Sequence, residues 1–231
     1  MRNLTTPLIP LVILCCSCNL QSGHSGYHLT KKELTLCDSL NIDPKVISQV
    51  RRHNQSTIEA FHYSLSKTYK NGIESEDDPI LLQGIVFYEK YQQADQLVVA
   101  LYDSLLSLGY SIFVVERNFD IEKHPDRLAV LKTTDKYEVL RQIKTDGINW
   151  SIDNDSLLRI IHSFDQQYSL QLTGASGDWC EFIIKKEPRD WVAFAKDVYK
   201  VCPDVVEQGT TTVEALADEM KRTRKLYLWW D

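Results

Sequence analysis

This chain lacks the signatures that carry most recognisable enzyme chemistry. Its 231 residues contain no GxGxxG turn, no phosphate-cradling GxxxxGK[ST] loop, no GxSxG elbow and no HExxH pair. Gly174-Ala175-Ser176-Gly177 is one residue short of an elbow and reads better as a hairpin turn. No apolar run approaches the roughly 20 residues that span a bilayer. No Lys/Arg tract with interleaved aromatics occurs, and the formal net charge is −6, so the chain lacks the basic field that attracts nucleic acid. Metal-ligand spacing is missing too. His24 and His28 stand four apart, but in a Gly/Ser-rich stretch that suits solvent-exposed residues. His53, His62, His124 and His162 have no Cys or His partner at ligand spacing. The acidic stretch around Glu74, Glu76, Asp77 and Asp78 lacks the alternating oxygens and central Gly of a calcium loop. Neither a metal nor a cofactor is expected.

Cysteine is scarce where it would matter for a disulfide framework. Of six cysteines, three fall in the first eighteen residues, leaving Cys37, Cys180 and Cys202 in the body. Three permit at most one internal bridge. A Cys180–Cys202 bond is allowed outside the cytoplasm. The preferred alternative is three separate buried thiols acting as small apolar residues.

What is present begins at residue 1. Arg2 supplies a positive charge, Leu8 to Leu14 a short apolar core, and Cys15-Cys16-Ser17-Cys18 a set of small residues before a cleavage point. That is the layout of a secretory signal. A cysteine directly after a small residue suggests a bacterial lipoprotein signal over 1–17, with Cys18 as the lipid-modified residue. Cys16 is the rival site, and ordinary cleavage to a secreted protein the rival process. Residues 18–29 read as a flexible Ser/Gly/Asn/Gln-rich tether. The expected location is the cell envelope, anchored by lipid, and Asn19 in place of Asp slightly favours the outer membrane.

The body reads as α+β: a mixed, largely antiparallel sheet with packed helices, preceded by a short helical N-terminal section. Residues 30–78 form that section and an acidic linker, and 79–231 the α+β domain. Thr30 and Glu33 have capping-box spacing, Asp43-Pro44 opens a second helix, and Ile58, Phe61 and Leu65 continue at helical spacing. From Ile80 on, strands and helices mix. Ala94 to Leu108 is a helix stopped by Gly109. Tyr110 to Val115 is an apolar strand suited to burial on both faces. Asp135 and Asn154 cap two further helices. Tyr168, Leu170 and Leu172 alternate with Ser169, Gln171 and Thr173, predicting a strand with one face in water. Trp179 to Lys185 returns as its hairpin partner. Two more helices follow, around Phe194 and Leu216, and Leu226 to Trp230 is a last strand.

The closing third carries distinctive blocks: Phe194-Ala195 through Cys202-Pro203-Asp204, then Gln208-Gly209, then Leu228-Trp229-Trp230-Asp231. Upstream stand Thr145-Asp146-Gly147-Ile148-Asn149-Trp150 and Gly174-Ala175-Ser176-Gly177-Asp178-Trp179. In combination these resemble the domain of unknown function 4253 family over roughly residues 80–231. That family is mainly bacterial and implies a fold more than an activity. Its blocks supply the candidate binding residues Asn149, Trp150, Trp179, Gln208, Gly209 and Trp230.

Chemistry, if present, would draw on Asp178, Asp204 and Asp231 around one polar pocket, or on Cys202 as a nucleophile with a His base that the sequence does not reveal. Asp231, as written, carries two carboxylates. The structural alternative is that Pro203 stops a helix, Asp204 caps the next turn and Gly209 supplies a positive φ. The expected function is a membrane-tethered binding module without a recognisable catalytic site, with a protein partner of the immunity type as one form. An envelope hydrolase using the acidic cluster or Cys202 is the alternative, and a structural spacer the third reading.

Overall fold

The computed structural model describes residues 27–64, 67–70, 73–76, 78–119 and 121–231. The leader and Cys18 lie outside these residues, as does most of the tether. Helices α1 (Lys31–Leu40) and α2 (Pro44–Arg51) come first. Thr30 and Glu33 form the reciprocal capping box, and Asp43 caps α2 with Pro44 in its first turn. These contacts occupy N–H groups that no helical carbonyl can reach.

The helical reading around Ile58 and Phe61 is corrected: β1 (Glu59–Tyr63) is a strand, and Leu65 lies outside the described residues. A separation of three places two residues on one helix face or on opposite sheet faces. Ile58 and Phe61 take the second option, entering different cores. Both faces of this sheet are buried, so the spacing alone does not discriminate. The acidic linker is corrected as well. Strands β2 (Lys67–Lys70) and β3 (Ile73–Glu76) pair antiparallel there. Their polar sequences carry no apolar alternation to announce a strand.

The remaining elements are β4 (Ile80–Glu89), α3 (Tyr91–Ser107), β5 (Ser111–Glu116), β6 (Asp126–Leu131), α4 (Lys136–Ile143), α5 (Asn154–Tyr168), β7 (Leu170–Ala175), β8 (Trp179–Ile184), α6 (Trp191–Val201), α7 (Val213–Thr223) and β9 (Lys225–Trp229). Asp153, one residue before the predicted Asn154, caps α5. Seven strands form one sheet in the order β1-β4-β6-β5-β7-β8-β9. Each neighbouring pair is antiparallel except β5–β7, which is parallel at Val114 and Gly174. The architecture is α+β with a mixed sheet.

Alternation along the central strands builds two cores. Ile112 and Val114 of β5 and Leu128 and Val130 of β6 face the layer of α1, α2 and α3. Phe113, Val115, Ala129 and Leu131 face the layer of α4, α5, α6 and α7. Strands buried on both faces need continuous apolar sequence, which accounts for the unbroken run from Ile112 to Val115.

β7 departs from the expectation of a solvated face. Gln171 and Thr173 are buried, and the Thr173 hydroxyl donates to Glu181 at 2.9 Å. The last strand lies at the sheet edge, beyond β8. Trp230 is nevertheless only 3% exposed. Its backbone N–H donates to the Asp178 carbonyl at 3.0 Å and its indole N–H to the Val201 carbonyl at 3.1 Å.

Candidate functional site

Two arrangements compete for the role of site. The first gathers the sequence-derived candidates around Asp204. This residue follows the stop of α6, where Pro203 cannot continue the helix. Asp204 is buried, and its carboxylate accepts the Trp150 indole N–H at 2.8 Å, the Gln208 amide at 3.2 Å and the Asp231 backbone N–H at 3.1 Å. Gly147 lets the Trp230 ring approach: a Cβ there would stand 2.8 Å from three indole atoms. Trp150, Gln208 and the Asp231 backbone thus meet at Asp204, while Trp230 packs against Gly147. The Asp178 carbonyl accepts the Trp230 backbone N–H. Asn149 is exposed on the 3-10 turn Ile148–Trp150, and the Asp231 side chain belongs to an exposed residue. The contacts of Asp204 are internal hydrogen bonds that tie three segments together.

Cys202 is fully buried, and its Sγ donates to the Trp229 carbonyl at 3.0 Å. Burial pushes the thiol up to about 12, outweighing the hydrogen bonds that favour the thiolate. A nucleophilic cysteine needs the opposite environment. Cys37 and Cys180 are also free, buried thiols.

The second arrangement is a cleft of about 610 Å³. Helix α3 lies over β5, β6 and β7, and the cleft opens beside it, over β8 and β9. Its floor is ionic. Arg117, at the end of β5, bonds Asp95 of α3 at 2.8 Å and approaches Asp126 at 3.4 Å and Glu181 at 3.5 Å. Lys225 bonds Asp95 at 2.6 Å and Glu181 at 3.1 Å. Burial alone would pull the Arg117 guanidinium down, but Glu181, Asp95 and Asp126 hold it above its ordinary value. The same balance raises Lys225, through Glu181 and Asp95. Burial also opposes ionisation of Asp95, yet Lys225 and Arg117 keep its carboxyl low. Asp126, wholly buried, is pushed up by burial despite the Asn118 N–H and Arg117.

Aromatic groups stand around this floor. The Arg117 guanidinium lies 5.5 Å from the Tyr91 ring centre and 5.9 Å from that of Trp179, within cation–π range. Phe119 stands at the lip, half exposed, with a left-handed backbone (φ 50°) and its ring 5.9 Å from Tyr91. Trp179 packs against Gly174 and beside Tyr227. On the far side, Val205, Gly209 and Thr210 come from the π-helical turn Val205–Thr210. Single π turns are rare and recur at functional sites. This turn joins the two arrangements: Gln208 bonds Asp204, and Gly209 borders the cleft.

Of the candidate binding residues, Gly209 lines the cleft. Asp95, Arg117, Asp126, Glu181 and Lys225 escaped the sequence reading. One signal was available: Glu181 sits between Cys180 and Phe182 in an otherwise apolar strand, where a charge requires a partner. The distant positions of Asp95 and Lys225 gave no such hint.

Residues 127–231 match the family described as Domain of unknown function (DUF4253). The match starts within β6, later than the residue 80 suggested by the resemblance. The Asp204 contacts fall wholly inside it. The cleft straddles its edge, since Asp95, Arg117 and Asp126 precede residue 127. No curated protein and no solved structure matches the chain.

Proposed function

We propose that this chain is a binding module of the bacterial cell envelope, tethered by a lipid on Cys18 and capturing a protein partner through the cleft beside β9. The observation that carries the reading is the cleft itself. It combines an aromatic lip, a largely apolar wall and a paired ionic floor, which is the anatomy of a recognition site. An immunity-type partner is one form of this function. The outer membrane is the favoured location.

The hydrolase alternative draws less support. Its sharpest nucleophile, Cys202, is a protonated buried thiol, and the Asp204 carboxylate is occupied by three donors. Capture of partners from native membranes tests the binding reading, comparing wild type with Phe119→Ala and Cys202→Ala. A partner retained by wild type and Cys202→Ala but lost from Phe119→Ala is the expected result. Equal capture by all three would overturn the role of the cleft. Intact mass of the mature chain tests the tether: a diacyl-modified Cys18 is expected, and an unmodified chain starting at Met1 would refute it.

A further inference from the structure

Resting on the cleft as the binding site, we infer that its occupant is a basic side chain, Lys or Arg, presented by the protein partner between apolar neighbours. The argument is charge complementarity. Arg117 and Glu181 are sealed in the floor, at 4% and 7% side-chain exposure, and neutralise their own surroundings. An incoming group meets what is left: Asp95 and Lys225, each about one-third exposed, and Glu219 on the α7 wall. Glu219 is exposed and has no ion pair among the described residues. Lys225 is already held between Asp95 and Glu181. Asp95 is held in turn by Arg117 and Lys225, which leaves Glu219 as the cleft carboxylate without an ion pair among the described residues. The field favours a cation and opposes an anion.

The walls fit the stem of such a side chain. Leu216 and Met220 of α7 line the cleft together with Tyr91 and Phe119. Lys and Arg bury their methylene stems along apolar surface while the charged head seeks oxygen. The half-exposed Phe119 ring is a further surface for a cation. Phe119, more than half exposed, gives the cleft an apolar rim. A basic side chain flanked by apolar residues would cover that rim as its head reaches Glu219 and Asp95.

The test uses the full-length protein and three capped tripeptides: acetyl-Leu-Lys-Phe-amide and its Gln and Glu counterparts. Binding is followed by the indole NMR signal of Trp229, which lines the cleft, and by its loss of perturbation in Glu219→Gln. The lysine peptide should bind at least threefold tighter than the glutamine peptide, and the glutamate peptide weakest. Glu219→Gln should weaken the lysine peptide by roughly threefold, the scale of one exposed ion pair, and leave the glutamine peptide unchanged. Binding of the glutamine or glutamate peptide as tightly as the lysine peptide would overturn the cationic assignment while leaving the cleft a binding site. If none of the three shifts the Trp229 signal at millimolar concentration, both this assignment and the cleft reading fail.

Discussion

Asp204 accepts the backbone N–H of Asp231 at 3.1 Å, across 27 positions of sequence. Through the same carboxylate it holds Trp150 and Gln208. Edge strands are prone to fray or to pair with other chains, and this contact fixes the segment beyond β9. Removing the carboxylate takes a buried acceptor away from three donors on exposed residues. Asp204→Ala should cost about 2–4 kcal/mol of stability, read as a lowered urea midpoint. Asp204→Asn, which keeps one acceptor oxygen, should cost less. An unchanged midpoint in the Ala variant would show that the contact is incidental.

Gly147 is required by the neighbouring indole. A methyl group added there meets the buried Trp230 ring at 2.8 Å, and a fused ring in a packed core has no free end to move aside. Gly147→Ala should destabilise by about 1–3 kcal/mol through overpacking, with a lower melting temperature. Double substitution with Trp230→Leu should recover part of the loss. Additive effects would mean that the two residues do not touch.

The ionic floor of the cleft makes Arg117 the keystone of the cluster. Arg117→Met strips counter-charge from Asp126, which is wholly buried, and from Glu181, which is nearly so. Breaking a buried ion pair from one side costs about 3–5 kcal/mol because the remaining charge stays desolvated. The stability loss should therefore exceed that of Lys225→Met, whose ammonium is partly exposed. Equal losses by chemical denaturation would argue against the burial asymmetry.

Asp165 gives the fold an acid-sensitive element. Burial pushes its carboxyl up, but the Lys136 ammonium at 2.7 Å, the Tyr137 hydroxyl at 2.6 Å and the Leu170 N–H at 2.7 Å outweigh burial and hold it low. A carboxyl whose folded pKa lies below its unfolded value, about 3.9, contributes fully above that value. The contribution is lost as pH falls through the folded pKa. The stability gap between wild type and Asp165→Asn should be constant near neutrality and shrink as pH drops below about 4. A gap that widens with acidification would reverse the sign of the argument.

Cys202 should be chemically silent in the native state. Its thiol is buried, bonded to the Trp229 carbonyl and pushed up to about 12. Iodoacetamide at pH 8 should leave it unmodified in folded protein and label it fully in denaturant, as mass mapping would reveal. Rapid labelling of native protein would restore it as a candidate nucleophile.

Much of this architecture was legible from residue pattern, and the failures share a cause. Caps such as Thr30 with Glu33 and Asp135, the apolar face of α3 and the β7–β8 hairpin announce themselves locally. The strand β1 does not, because Ile58 and Phe61 serve opposite faces of a doubly covered sheet. Thr173 looks solvent-facing because its polarity answers Glu181, a partner that pairing brings near. The convergence on Asp204 was half visible: the Cys-Pro-Asp, Gln-Gly and Trp-Trp-Asp blocks flagged its members, but not that they serve one another. The cleft was invisible, since Asp95, Arg117, Glu181 and Lys225 come from four elements spread over 130 positions.

Site-specific photo-crosslinking in cells of the native host addresses the cleft most directly. A photoreactive phenylalanine analogue replaces Phe119 at the cleft lip or, as control, Val99, which is equally exposed on the outer surface of α3. The account predicts a discrete protein adduct from position 119 that is absent from position 99. Adducts from position 99 alone, or the same adducts from both, would contradict it.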